Sequence, residues 1–278
     1  MQRAVPATSI STERPTALLA LQAAWATWRA LSVERFVAWG LGGYTLIALV
    51  QPIFTVSVAA LIYGSSQPEL LNYAVVGVAA NAFVINSIFY IGEILDRERI
   101  KGTLVGLFLA PCPRLSWLVG LATVGLTETA AIATSGLLYG RFALGVHYDP
   151  NVPALLVTLV LFILCLWGIG FVFSAIGLYI KKANPFSNLV SPLFFLLGGV
   201  YYPVALLPIW LRYPARMLPH GYAMQALADA TLYHASIRDL APQLVPLAGF
   251  AVVLPVIGIR TFGWLERLVR QRGELDLY

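Results

Sequence analysis

The chain has 278 residues, of which 59% are hydrophobic and only 11% charged, and its mean hydropathy is +0.79. Soluble domains carry roughly a quarter charged residues, so the composition excludes one and points to a polytopic membrane protein with room for about six helical spans. The net charge of +5 comes from basic residues beside apolar runs, with no separate basic domain, which argues for membrane topology and against nucleic acid.

In chain order, residues 1–15 are polar and lack the apolar core of a cleaved signal peptide, so a cytoplasmic tail is expected. Pro15 suits a first helical turn, and Leu18, Leu21, Trp25, Trp28 and Leu31 recur on one face. This predicts an interfacial helix over 16–35 on the inner leaflet, with Arg29, Glu34 and Arg35 arguing against an extended first span. The first span is expected at about 40–63, kinked at Pro52, and the second at about 71–91.

Six charged residues, Glu93, Asp96, Arg97, Glu98, Arg99 and Lys101, then fall within nine positions. Gly102, Thr103 and Leu104 follow, then Leu107, Phe108 and Leu109, then Pro111 and Pro113, which end a helix. The pattern predicts a short amphipathic helix at the membrane surface; an ordinary solvated loop is the other reading.

The third span is expected at about 115–140, and the outer loop 141–153 contains the turn signal Asp149-Pro150-Asn151. The fourth, about 154–180, stops at Lys181-Lys182-Ala183-Asn184-Pro185. The fifth begins near Asn188 and runs through Pro192 to the Gly198-Gly199 pair. Residues 206–211 and 217–222 are apolar pieces too short to cross, so two re-entrant half-helices are predicted there. The last span, about 240–259, completes a six-span core over 40–263, and 264–278 is expected to be a cytoplasmic tail. In this arrangement only Arg141, Arg212, Arg216 and Arg238 of the 18 basic residues lie outside, as the positive-inside rule requires.

The order of charges, Lys101-Gly102-Thr103-Leu104, apolar patch, Ala110-Pro111 and Arg114 resembles the cytoplasmic loop after the second span of type-2 ATP-binding-cassette (ABC) permeases. A second match is Gly198-Gly199-Val200-Tyr201-Tyr202-Pro203, then Leu207-Pro208-Ile209-Trp210, then Leu218-Pro219-His220-Gly221-Tyr222. It is similar to the family's Gly-x-x-x-x-Pro, Leu-Pro-x-Trp and Pro-x-x-Tyr series. Leu218 and Val105 depart from the family's frequent Asn and Glu. The resemblance implies a six-span, all-α permease in the bacterial plasma (inner) membrane, with both termini cytoplasmic and a coupling helix between spans two and three. It also implies a dimer with a second copy or a paralogue, and two ATPase subunits that bind the ATP and Mg. Glu98, Arg99, Lys101, Gly102, Thr103 and Leu104 become the expected ATPase contact, with Glu93, Asp96 and Arg97 completing a charged surface.

No cofactor, metal site or ATPase is expected on this chain. A Walker A loop needs a lysine after glycine, and Lys101, Lys181 and Lys182 all follow other residues. Cys112 and Cys165 are predicted apart, and His147, His220 and His234 lack metal-ligand spacing. Glu128 is the one acid deep in a predicted span. Asn81, Asn86 and Gln51 are further polar side chains at membrane depth, and Glu128, Asn81, Asn86, Tyr201 and Tyr202 are the candidate substrate path. Short loops and apolar spans point to export of an amphipathic or hydrophobic compound such as a drug, natural product or lipid. Alternatives are a lipid-linked glycan exporter and, from another class, a proton-coupled secondary transporter using Glu128. A membrane enzyme is disfavoured, because no nucleophile, base and orienter assemble from these residues.

Overall fold

The computed structural model describes residues 17–64, 66–104, 106, 114–180 and 183–271. The N-terminal tail, the expectations on Val105, Leu107 to Cys112 and Pro113, the Lys181-Lys182 stop and Arg272 lie outside these residues, as do the side chains of Leu18, Leu21, Leu31, Glu34 and Arg35. Every described element is helical: α1 (Ala17–Tyr63), α2 (Pro68–Ile85), a π-helical turn (Asn86–Ile91), α3 (Ile94–Ile100), α4 (Arg114–Ala143), α5 (Val152–Ile180), α6 (Ala183–Gly198), a 3-10 turn (Val204–Leu206), α7 (Ile209–Arg216), α8 (Pro219–Leu232) and α9 (Ala241–Gln271).

Helix α1 is broken at Gly40, whose φ of 62° and ψ of 171° suit a residue without a side chain. Pro68 opens α2 at a position where a missing N–H costs nothing. Of the apolar window of α2 and its continuation, 78% is buried inside the protein, against 22% for α9. Helix α2 is therefore the central element, packed against α1, α4 and α8, while α9 lies at the periphery along α5. That crossing is close: a Cβ on Gly168 would stand 2.5 Å from the Pro255 nitrogen, and one on Gly258 would stand 2.5 Å from the Gly168 carbonyl oxygen. Small residues let two helix backbones approach where lipid supplies no hydrophobic drive.

Among the described residues four segments are long and apolar enough to cross a bilayer: Pro68–Ile100, Trp117–Ala143, Val152–Ile180 and Ala241–Leu268. The protein is thus an all-helical, multi-pass membrane protein. The second span and the charged helix form one continuous segment, because the π turn carries the backbone from α2 towards α3 without a loop. The other two expected spans are shorter. An apolar stretch covers Ala48–Tyr63, and α6 has 16 residues, beginning at Ala183 and ending where Gly199 takes a φ of 68°.

The segment after α6 forms two short helices, with bounds that differ from the expected 206–211 and 217–222. Pro208 and Pro219 open helices instead of ending them: Pro208 precedes α7, and Pro219 is the first residue of α8, which runs 14 residues to Leu232. Helix α8 is a core element that buries Ala223, Met224, Ala226, Leu227, Ala228 and Ala230. Its His220 is 1% exposed, edge-on to Phe162 and Phe194 with ring centroids 5.8 and 4.7 Å away. The turn before it is pinned by tyrosines, with the Tyr73 hydroxyl donating to the Gly199 carbonyl at 3.1 Å and Tyr63 to that of Tyr201 at 3.0 Å.

The α5–α9 crossing gives a direct test. Replacing Gly168 with Val forces the α9 backbone to shift and is expected to cost about 1–3 kcal/mol. Thermal unfolding of the detergent-purified protein should show a lower midpoint for Gly168→Val than for wild type.

Candidate functional site

The charged stretch forms α3, seven residues that follow the bend at Gly92 and Glu93. Most of its charges turn inward. Glu93 is only 8% exposed and accepts from the Asn184 amide at 3.3 and 3.4 Å. Asp96 takes the Arg99 guanidinium at 3.1 Å on one oxygen and the backbone amide of Ala183 at 3.3 Å on the other. Arg99 also donates to the Leu178 carbonyl at 3.0 Å. Arg97 reaches back across the bend, donating to the carbonyls of Phe89 at 3.2 Å and Tyr90 at 2.5 Å, with its guanidinium 5.1 Å from the centre of the Tyr90 ring. Glu93, Asp96, Arg97 and Arg99 thus brace α3 on α2, α5 and α6, where an outward charged surface was expected.

The exposed part is the tip. Gly102 has a φ of 73°, and its amide donates to the Arg99 carbonyl at 2.9 Å while the Thr103 amide donates to that of Glu98 at 3.0 Å. This is the Schellman closure of a helix, which calls for a residue tolerant of left-handed backbone. The Thr103 hydroxyl adds a 2.5 Å bond to the Glu98 carboxylate, and Lys101 lies 3.9 Å from the same group. Ile100, Lys101, Gly102 and Thr103 face outward while Leu104 is buried. Ile100, 81% exposed, adds an apolar side chain to this tip that the sequence did not single out. Its signal was a large aliphatic residue closing a charged helix.

Two cavities lie along α2, the larger reaching α3 at Arg97. The larger, about 180 Å³, is lined by Gln51, Asn86, Phe89, Tyr90, Arg97, Glu128 and Thr129 among others. The smaller, about 30 Å³, adds Thr55, Asn81 and Tyr201. Gln51, Ala82, Ile85 and Ile132 line both, so the two are contiguous between α1, α2 and α4. The structure therefore brings Glu128, Asn86, Asn81 and Tyr201 to one polar seam, together with Gln51. It does not bring Tyr202, which lines neither cavity and donates to the Leu196 carbonyl at 3.2 Å. Arg97 belongs to the seam as well as to α3, a link not anticipated from its place in the charged run. Its spacing of seven from Tyr90 was the available clue, since residues two turns apart share a helix face.

The tip geometry predicts the effect of one methyl group. A Cβ at Gly102 meets no neighbouring atom, so Gly102→Ala carries only the backbone cost of left-handed geometry, about 1–2 kcal/mol. Hydrogen-exchange mass spectrometry should show roughly 5- to 30-fold faster exchange in a peptide covering 98–104, with peptides from the middle of α5 unchanged.

The family profile described as "ABC-2 type transporter" matches residues 23–232. No curated protein matches the chain. The match covers most of the chain, including the braced α3 and the turn between α6 and α8, and so this chain belongs to the ABC-2 type transporter family as a transmembrane permease subunit, the part that is not itself the ATPase.

Proposed function

We propose that the chain is the six-span permease of an ATP-driven exporter in the bacterial plasma membrane, with both termini cytoplasmic. It works as a dimer, with a second copy or a paralogue, and is powered by two ABC ATPase subunits that hold the ATP and Mg. The carrying observation is α3: braced by its own charges on three spans, it presents a small exposed tip from Ile100 to Thr103. A rigid element whose free end is apolar and basic is suited to docking in a groove and passing a displacement inward.

Other features support the remaining parts of the reading. The break at Gly40 allows 16–35 to lie on the membrane surface while the later part of α1 crosses. The stretch Ala48–Tyr63 and α6 then supply the first and fifth spans. The distribution of Lys and Arg supports the orientation. For the cargo, the polar seam adjoins, at Ala79, a nearly wholly apolar cavity of about 210 Å³ lined by Val76, Ala79, Phe83, Leu155 and Leu159 among others. Polar and apolar compartments side by side fit an amphipathic compound.

Two outcomes test this. A Lys101→Glu, Thr103→Arg permease should lose the ATPase that co-purifies with wild type from native membranes, or retain it with transport uncoupled; an intact wild-type permease that brings down no ATPase would sink the reading. Glu128→Gln should keep the ATPase bound but raise the half-saturating cargo concentration about tenfold, the loss of one charge-assisted hydrogen bond, measured as cargo-stimulated ATP hydrolysis in reconstituted vesicles.

A further inference from the structure

At the end of the bundle opposite α3, a cavity of about 240 Å³ opens between the 3-10 turn, α7, α8 and the start of α9. Its polar lining is Arg212, Arg216, Tyr222, Gln225 and Gln243. Arg212 and Arg216 sit four residues apart on α7, on one helix face, an arrangement of like charges that destabilises a helix unless something answers it. No carboxylate pairs with either arginine among the described residues. The acids of the flanking segments are engaged elsewhere: Gln225 holds Asp229 at 3.2 and 3.3 Å, and Ser236 holds Asp239 at 2.7 Å.

The site is fixed before any ligand arrives. Arg212 donates through one Nη to the carbonyls of Ala205 at 2.6 Å and Leu207 at 3.0 Å, which aims its guanidinium. Its Nε is buried without a hydrogen-bond partner, and so is the Gln243 side-chain oxygen. A buried donor and a buried acceptor left open beside one cavity suit a ligand that offers both an anionic oxygen and a hydrogen-bond donor. Beside the arginine face, α7 exposes Trp210, Tyr213 and Met217. Aromatic residues of this kind settle at headgroup depth, which places the arginine pair level with lipid phosphates.

We propose that this cavity binds the phosphodiester of a phospholipid whose headgroup carries a hydroxyl or ammonium donor. The guanidiniums take the phosphate oxygens in the paired geometry that favours Arg over Lys, and Gln243 accepts from the headgroup donor. Assigning that lipid to the outer leaflet rests on the orientation proposed above; the binding itself does not.

Detergent-purified, delipidated permease is titrated with phosphatidylglycerol, with diacylglycerol of the same chains, and with glycerol 3-phosphate, following thermal stability and lipid retention by native mass spectrometry. Phosphatidylglycerol should be retained and should raise the unfolding midpoint, while diacylglycerol should do neither. Arg212→Gln with Arg216→Gln should abolish the effect. Arg216→Gln alone, whose exposed side chain makes no bond in the fold, should weaken retention about tenfold without lowering the midpoint of the lipid-free protein, since it also removes the like-charge pair. Equal retention of diacylglycerol, or full retention of phosphatidylglycerol by the variants, overturns the site. Stabilisation by glycerol 3-phosphate without phosphatidylglycerol binding overturns the lipid as its source. Labelling of Met217→Cys by an impermeant maleimide in oriented vesicles reads the leaflet separately: reaction from the cytoplasmic side alone refutes the proposed orientation and leaves the binding result intact.

Discussion

Asp96 and Arg99 are the interaction on which the architecture turns. The carbonyl of Leu178 lies in the last turn of α5, and the amide of Ala183 opens α6. Both belong to the groups that a helix end leaves without an intrahelical partner. Near a membrane such groups are costly to leave bare. Helix α3 supplies one cap to each end, a cation to the carbonyl end of α5 and a carboxylate to the amide end of α6, in the sense the helix dipoles favour. The same two side chains bond to each other. A charged helix that at first sight belongs to solvent is therefore clasped to both α5 and α6.

This explains which parts of the molecule could be read from the sequence. Long apolar runs announced α2, α4, α5 and α9, because a bilayer fixes the length a spanning helix needs. The charged stretch stood out for the same reason in reverse. What it did not disclose is that Glu93, Asp96, Arg97 and Arg99 face inward. Their partners are largely backbone atoms, of Phe89, Tyr90, Leu178 and Ala183, and every residue carries such atoms, so no residue type signals them. Helix α8 was hidden by a different ambiguity. Proline is both a breaker and a favoured opener, and the sequence around Pro219 reads as well one way as the other. The polar seam was legible as a set of residues, since Glu128, Asn86 and Asn81 are rare types at that depth. That they converge depends on the register of α2 against α4, which spacing within one helix does not fix.

Helix α2 divides the interior. Ala82, Ile85, Asn86 and Phe89 recur at intervals of three, one and three and face the polar seam. Val76, Ala79, Ala80 and Phe83 recur at three, one and three and face the apolar cavity. Two stripes with the same helical period, offset by six residues along the chain, line adjacent walls and meet at Ala79, which also lines the smaller cavity. Such a helix gains little from lipid contact on either side, which accounts for its burial at the centre of the bundle.

The polar stripe meets the charged segment at the π turn. There the Gly92 amide bonds to the Ser87 carbonyl, five residues back, and the carbonyls of Phe89 and Tyr90 would pair with amides at or past the bend. Arg97 takes both instead. Since Arg97, Phe89 and Tyr90 also line the larger cavity, any tilt of α3 against α2 must stretch or release these bonds and so change the cavity wall. A π turn is a local distortion that a continuous α-helix would avoid. Here it places the joint between the exposed tip and the polar seam inside one continuous segment, with a single arginine as its latch. On the proposed reading, movement imposed at Ile100 to Thr103 reaches Glu128 through side chains that already touch the cavity, and no further hinge is needed.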